Sequence, residues 1–138
     1  MKMTSKLKII SRVCLGIYLA AVAFVCFWHF GPMEEFQKTF LGIPMDKVVH
    51  FIMFLPFPIL MGLSFHKAGT RTLNTLFFTL GTFLIGCILA GATEIGQSLT
   101  TYRSCDINDF RADCLALAIG SIALFIVNIF RKKRYGNV

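Results

Sequence analysis

The sequence predicts an all-α membrane protein in which four transmembrane helices form an antiparallel bundle. Of its 138 residues, 56% are hydrophobic and 15% are charged, which is too little polar surface to cover a soluble domain of this size. The apolar residues fall into long blocks, each near the roughly 20 residues that cross a bilayer core of about 30 Å. The blocks lack the period-2 alternation of barrel strands, so they predict helices.

The four spans are predicted at residues 9–28, 47–65, 73–93 and 107–130, within a single domain that comprises residues 1–138. The first span begins like a signal peptide, and Ala21-Val22-Ala23 has the form of a cleavage site. Its apolar run nevertheless continues to Trp28, longer than a typical signal sequence, so we expect it to be retained. The second span contains Pro56 and Pro58, which predict a kink because neither has a backbone donor.

The segment Gly31–Pro44 joins the first two spans and carries apolar residues at helical spacing, namely Met33, Phe36, Phe40 and Leu41. This pattern predicts a short amphipathic helix lying in the membrane interface, with an ordered loop as the alternative. The two remaining connections are short, which favours antiparallel packing of consecutive helices.

The Lys and Arg residues predict the orientation of the chain. Of the 14 basic residues, ten flank the spans on the side of the two termini, and the other side holds Lys38, Lys47, Arg103 and Arg111. Both termini are therefore predicted in the cytoplasm. Because the basic residues form short runs at the ends of apolar blocks, the net charge of +7 does not indicate nucleic-acid binding. All seven acidic residues lie on the opposite, outer side: Glu34, Glu35, Asp46, Glu94, Asp106, Asp109 and Asp113.

Polar side chains gather at the outer ends of three spans. The second span begins with Asp46, Lys47 and His50, the third ends with Glu94 and Gln97, and the fourth begins with Asp106, Asp109 and Asp113, after Arg103 in the connection. These nine residues are the predicted ligand-binding set. Small residues continue the same helix faces, namely Ala116 and Gly120 after Asp113, and Ala90, Cys87 and Gly86 before Glu94. Because small residues mark helix contacts in membranes, we expect the charged faces to point inward and form an outward-open polar pocket.

Most of these residues also have a purely structural interpretation. Asp106 suits a helix N-cap, Asp109 the positive end of a helix dipole, and Lys47 an interfacial lysine. His50 could be bonded to Asp46, and Glu94 could pair with Arg103. Asp113 is the hardest to explain structurally, because it lies a turn deeper in the fourth span.

The pattern Asp46-Lys47-x-x-His50-Phe51-x-x-Phe54, followed by Glu94-x-x-Gln97, Arg103, Asp106, Asp109 and Gly120, resembles the VanZ-like family. These are small bacterial membrane proteins named for a member that lowers susceptibility to the glycopeptide teicoplanin. The resemblance covers roughly Asp46 to Gly120 and implies a protein of the bacterial cytoplasmic (inner) membrane, associated with the cell envelope. Where the family commonly has Asn in the fourth helix, this chain has Asp113, which puts in doubt any role that needs an amide there.

Three functions compete. The first is binding of a phosphate or carboxylate of an envelope lipid or peptidoglycan precursor, through Arg103, Lys47 and amide donors, with a contribution to teicoplanin tolerance. The second is a hydrolase or transferase acting on a lipid-linked substrate, with His50, Glu94 and Asp109 as catalytic candidates. A metal-dependent version would draw ligands from Asp46, His50, Glu94, Asp106 and Asp109, although no metal motif of known spacing occurs.

The third function, an ion translocator, is disfavoured because the middles of the spans lack ionisable groups. Membrane lipids and a lipid-linked precursor or glycopeptide are the expected partners, and the sequence does not decide whether the chain is an enzyme.

Overall fold

The structure is a computed structural model that describes residues 5–28, 39–66, 71–100 and 105–135, with side chains as far as Lys132. Its elements are helix α1 (Ser5–Phe27), strands β1 (Thr39–Phe40) and β2 (Ile43–Pro44), and helices α2 (Met45–Phe54), α3 (Phe57–Phe65), α4 (Thr72–Ser98) and α5 (Ile107–Tyr135).

Four helical stretches among the described residues are long and apolar enough to cross a membrane, and α2 and α3 together form the second of them. The predicted fold class is therefore confirmed. The exposed and buried side chains are distributed as expected for a protein surrounded by lipid: Ile88 on α4 is 73% exposed, whereas Glu94 on the same helix is 2% exposed. The third span was predicted to end at residue 93, but α4 continues to Ser98, because Glu94 is buried inside the bundle instead of marking its edge.

The predicted kink separates α2 from α3 at Leu55 and Pro56. Pro56 cannot donate to the carbonyl four residues earlier, and regular bonding resumes when the Leu60 N–H donates to the Pro56 carbonyl at 3.0 Å. Helix α5 crosses this kink at Gly120, where an added Cβ would lie 2.8 Å from the Leu55 carbonyl oxygen. Glycine at position 120 therefore allows the two backbones to approach closely.

Helix α5 packs against α2, α3 and α4, and α1 packs against α3 and α4. Contacts at opposite ends of α4 and α5 show that the two helices are antiparallel. At one end the Asp106 N–H donates to Glu94 Oε2 at 3.2 Å, and at the other Lys132 Nζ donates to Thr72 Oγ1 at 3.0 Å. The predicted small-residue face is confirmed, since Ala90, Ala116 and Gly120 are buried.

Part of the predicted interfacial helix is a β-hairpin. Thr39 pairs with Pro44 and Phe40 with Ile43, and the two turn residues have positive φ, 52° at Leu41 and 81° at Gly42. Two consecutive residues with positive φ suit a tight hairpin turn, and helical backbone excludes them. The helix prediction is therefore wrong for residues 39–44, and its remainder, 31–38, lies outside the described residues.

The two ends of the bundle differ in charge. At the end where α1 and α4 begin, Arg12 Nε donates to the Ser64 carbonyl at 3.4 Å. The basic C-terminal part of α5 lies at the same end, since Lys132 bonds to Thr72. The opposite end, where α2 and α5 begin and α4 ends, holds the acidic residues of the described chain and is called the acidic end below.

Candidate functional site

The acidic end is organised around the ammonium group of Lys47, near the start of α2. Its Nζ lies 3.2 Å from Asp46 Oδ2, 2.9 Å from Asp106 Oδ2 and 2.9 Å from Asp109 Oδ1. Asp109 lies in the first turn of α5 and Asp106 directly precedes that helix, so the ammonium joins the N-terminal ends of two helices. Charge-assisted bonds of this length rank among the stronger hydrogen bonds in proteins. The side chain thus lies within the protein and does not extend to the interface as the structural interpretation supposed.

Asp106 combines the lysine contact with the N-cap that the sequence predicted. Its Oδ1 accepts the Asn108 N–H at 2.8 Å, which satisfies one of the unpaired donors in the first turn of α5. The Asn108 N–H and the Lys47 ammonium both favour the ionised form and lower the pKa of Asp106. Asp106 therefore both caps α5 and ties it to α2.

His50 forms a second centre, one turn deeper on α2. Its Nδ1 lies 3.1 Å and 3.2 Å from the two carboxylate oxygens of Asp113 and 3.7 Å from Glu94 Oε1, and its Nε2 lies 3.9 Å from Asp109 Oδ2. The imidazole thus bonds to Asp113 on another helix, and the suggested bond to Asp46 is absent among the described contacts. Three helices, α2, α4 and α5, supply the groups around this ring.

Glu94 enters this centre from α4 and is almost completely buried, with 3% of its side chain exposed. Its Oε2 accepts the Asp106 N–H at 3.2 Å, whereas its Oε1 has no hydrogen-bond partner among the described residues. Asp46 and Asp109 lie in the first turns of helices, where the dipole favours a carboxylate. Glu94 lies near the C-terminal end of α4, where the dipole opposes one, so helix electrostatics do not explain its position.

We call seven residues the acidic cluster: Asp46, Lys47, His50, Glu94, Asp106, Asp109 and Asp113. Their exposure decreases from the end of the bundle toward its interior. The Asp46 and Asp106 side chains are 40% and 36% exposed, whereas the Asp113 side chain is fully buried. The cluster is therefore accessible at Asp46 and Asp106, which we call its mouth, and buried at Asp113.

Two of the nine predicted site residues do not join the described cluster. Gln97 is buried against α1, and its Nε2 donates to the Cys26 carbonyl at 3.2 Å near the end of that helix. Arg103 lies outside the described residues, and so does its suggested pairing with Glu94. The sequence interpretation missed the part that α1 plays. The Tyr18 hydroxyl on α1 donates to the Met53 carbonyl, one turn beyond His50 on α2. A tyrosine in the middle of an apolar span was the feature of the sequence that could have predicted this contact.

The cluster brings five carboxyl groups together with one ammonium and one imidazole, so it is suited to cations. Two subsets of three residues in the cluster could each surround a cation. In each subset, the three residues offer one donor atom apiece, and these atoms lie within 4.8 Å of one another. The first subset, Asp46, Asp106 and Asp109, already surrounds the Lys47 ammonium. The second consists of His50, Glu94 and Asp109.

The chain also carries the features of a known family. No curated protein and no solved structure matches it. The family model described as VanZ/LLP1 matches residues 10–130, which include all four spans for most of their length and the whole acidic cluster. The chain therefore belongs to the VanZ/LLP1 family.

Proposed function

We propose that the chain binds the headgroup of an envelope lipid or a lipid-linked peptidoglycan precursor at the acidic end. The observation that carries this proposal is the gradient of exposure, from the half-exposed Asp46 and Asp106 to the buried Asp113. The gradient occurs where the spans end, at the depth at which lipid headgroups meet the hydrocarbon core. Ionisable groups at this depth are costly and commonly functional.

The charge of the cluster favours a headgroup that carries an ammonium group. Lys47 Nζ is already bonded to three carboxylates and has little capacity left for a phosphate. The partly exposed carboxylates of Asp46 and Asp106 suit a second ammonium at the mouth. In this proposal, the phosphate or carboxylate of a zwitterionic headgroup binds to Arg103 in the connection between α4 and α5.

Native mass spectrometry of the purified protein tests this proposal through the lipids that it retains. Asp106→Asn keeps a residue suited to the N-cap but removes a mouth carboxylate, and Arg103→Ala removes the proposed anion contact. Both variants should retain less headgroup lipid than the wild type. Arg111→Ala is the matched control, because Arg111 is exposed and bonds to Asn108 outside the cluster. Equal retention by all four proteins would refute the proposal.

We also propose that the acidic end faces outward from the bacterial inner membrane, with both termini in the cytoplasm, and that the protein contributes to teicoplanin tolerance. The ten-to-four distribution of Lys and Arg supports this orientation. A membrane-impermeant maleimide should label Asp46→Cys in intact cells, and should label Lys6→Cys only after lysis, in a background without native cysteines. Expression in a susceptible bacterium should raise the inhibitory concentration of teicoplanin. Labelling in the reverse order contradicts the orientation, and an unchanged inhibitory concentration contradicts the tolerance.

A hydrolase or transferase acting on a lipid-linked substrate is the second candidate, and the contact between His50 and Asp113 favours it. A carboxylate 3.1 Å from Nδ1 can orient the imidazole so that Nε2 serves as a general base. His50→Ala and Glu94→Ala should then each abolish function in a cell assay while the protein still folds. Full teicoplanin tolerance in both variants would end the enzymatic interpretation.

A further inference from the structure

From the buried half of the acidic cluster we infer a binding site for a divalent transition-metal ion, with His50, Glu94 and Asp109 as its ligands. One nitrogen and two carboxylate donors converge there from three helices, within 4.8 Å of one another. This set suits Zn²⁺ or Mn²⁺, because imidazole and carboxylate both bind these ions well. The site is independent of the identity of any lipid headgroup.

The unpartnered oxygen of Glu94 is the observation that points most directly to a ligand. Oε1 is buried, has no hydrogen-bond partner among the described residues, and lies 3.7 Å from His50 Nδ1. A buried carboxylate oxygen without a partner is costly, and a bound cation would satisfy it. The other oxygen, Oε2, is held by the Asp106 N–H, which fixes the orientation of the carboxylate.

The neighbours of His50 and Asp109 orient these two residues as well. Nδ1 of His50 lies 3.1 Å from Asp113 Oδ1, and Nε2 lies 3.9 Å from Asp109 Oδ2. In the tautomer in which Nδ1 donates its proton to Asp113, Nε2 keeps the lone pair that a metal ion requires. A carboxylate behind a histidine is the usual outer-shell partner in metal sites. On Asp109, Oδ1 accepts from Lys47 at 2.9 Å, so the lysine positions the second carboxylate ligand. Asp113 and Lys47 are thus positioning residues.

The other acidic subset provides the contrast that makes the inference specific. Asp46 and Asp106 share Asp109 with the buried site, but their carboxylates surround the Lys47 ammonium, which takes the place of a metal ion. Three protein ligands leave a fourth position for water or for an oxygen of a bound headgroup.

Metal uptake by purified protein tests the inference, with a purification tag that contains no histidine. The protein is first treated with EDTA, then incubated separately with Zn²⁺ and Mn²⁺, and desalted. It should retain about one ion per chain, measured by inductively coupled plasma mass spectrometry. Glu94→Gln and Asp109→Asn should lose the ion, and Asp113→Asn should weaken binding by about 10- to 100-fold. Asp46→Asn is the matched control and should bind as tightly as the wild type.

X-ray absorption of the Zn²⁺-loaded wild type provides a second readout that does not depend on the folding of variants. A first shell of nitrogen and oxygen with one imidazole is expected. Sulfur in that shell would overturn the inference, because it would place the ion on cysteine. Failure of the wild type to retain either ion would also overturn it, and so would equal loss of the ion in Asp46→Asn and Glu94→Gln.

Discussion

Lys47 joins the start of α2 to the start of α5 through its bonds to Asp106 and Asp109. Lys47→Met would leave the carboxylates of Asp46, Asp106 and Asp109 without their shared cation. We expect the variant to lose about 1–3 kcal/mol of stability, since solvent at the half-exposed Asp46 and Asp106 screens part of the repulsion. Thermal unfolding in detergent measures this, with Lys6→Met as the exposed control. Adding Asp106→Asn to Lys47→Met should restore part of the lost stability. If the losses of stability of the two single variants simply add in the double variant, the contact between Lys47 and Asp106 is contradicted.

Asp106 gives this end of the molecule a dependence on pH. The Asn108 N–H and Lys47 lower its pKa in the folded state, so the unfolded chain binds the proton more readily. The stability that Asp106 contributes is therefore complete above the ordinary carboxyl pKa of about 4, and is lost as the pH falls through the lower, folded-state value. Melting temperatures measured from pH 6 to pH 3 should decrease more steeply for the wild type than for Asp106→Asn. Identical slopes would contradict the lowered pKa.

The sequence predicted which residues gather at the acidic end better than it predicted their contacts. Seven of the nine predicted residues form the acidic cluster, because charged groups on inward helix faces can only meet one another. The pairing of His50 with Asp113 was not predicted, since spacing within a single helix suggested Asp46 instead. Contacts between helices depend on their rotation and relative depth, and one sequence does not specify either.

Among the elements, the kink between α2 and α3 and its contact with α5 make the sharpest prediction. Gly120→Ala would place a Cβ 2.8 Å from the Leu55 carbonyl oxygen, a backbone atom with little freedom to move. We expect a loss of about 1–3 kcal/mol from overpacking. Gly81→Ala is the matched control, because an added Cβ there meets no atom within 4 Å. Equal melting temperatures for the two variants would show that α5 does not cross the kink at Gly120.

Most element boundaries followed from hydropathy and proline, but the hairpin of β1 and β2 did not. Apolar residues at helical spacing suggested a helix through Phe40 and Leu41, whereas the turn places Leu41 at a φ of 52°. Gly42 was the local signal for a tight turn. A non-glycine residue rarely adopts positive φ, so a turn that includes Leu41 could not be expected from residue type.

At the scale of the whole molecule, residues distant in the chain meet at one end of a bundle of four apolar spans. Long apolar blocks were enough to predict four spans, because lipid requires helices and fixes their length. The short connections and the small residues then predicted which faces turn inward. The headgroup and metal proposals both depend on this convergence of α2, α4 and α5.

Cross-linking of Lys47→Cys with Asp109→Cys in membranes tests that convergence most directly. The five native cysteines are replaced in the variant that is used. A protease site is introduced within residues 101–104, between the two new cysteines. A short bifunctional thiol reagent should keep the two fragments together after cleavage, because Lys47 and Asp109 face each other. The control is Lys47→Cys with Arg111→Cys, because Arg111 lies on α5 like Asp109 but is exposed. The two fragments of the control protein should separate after cleavage. Separation of the Lys47→Cys, Asp109→Cys fragments, or equal linkage in both pairs, would contradict the account.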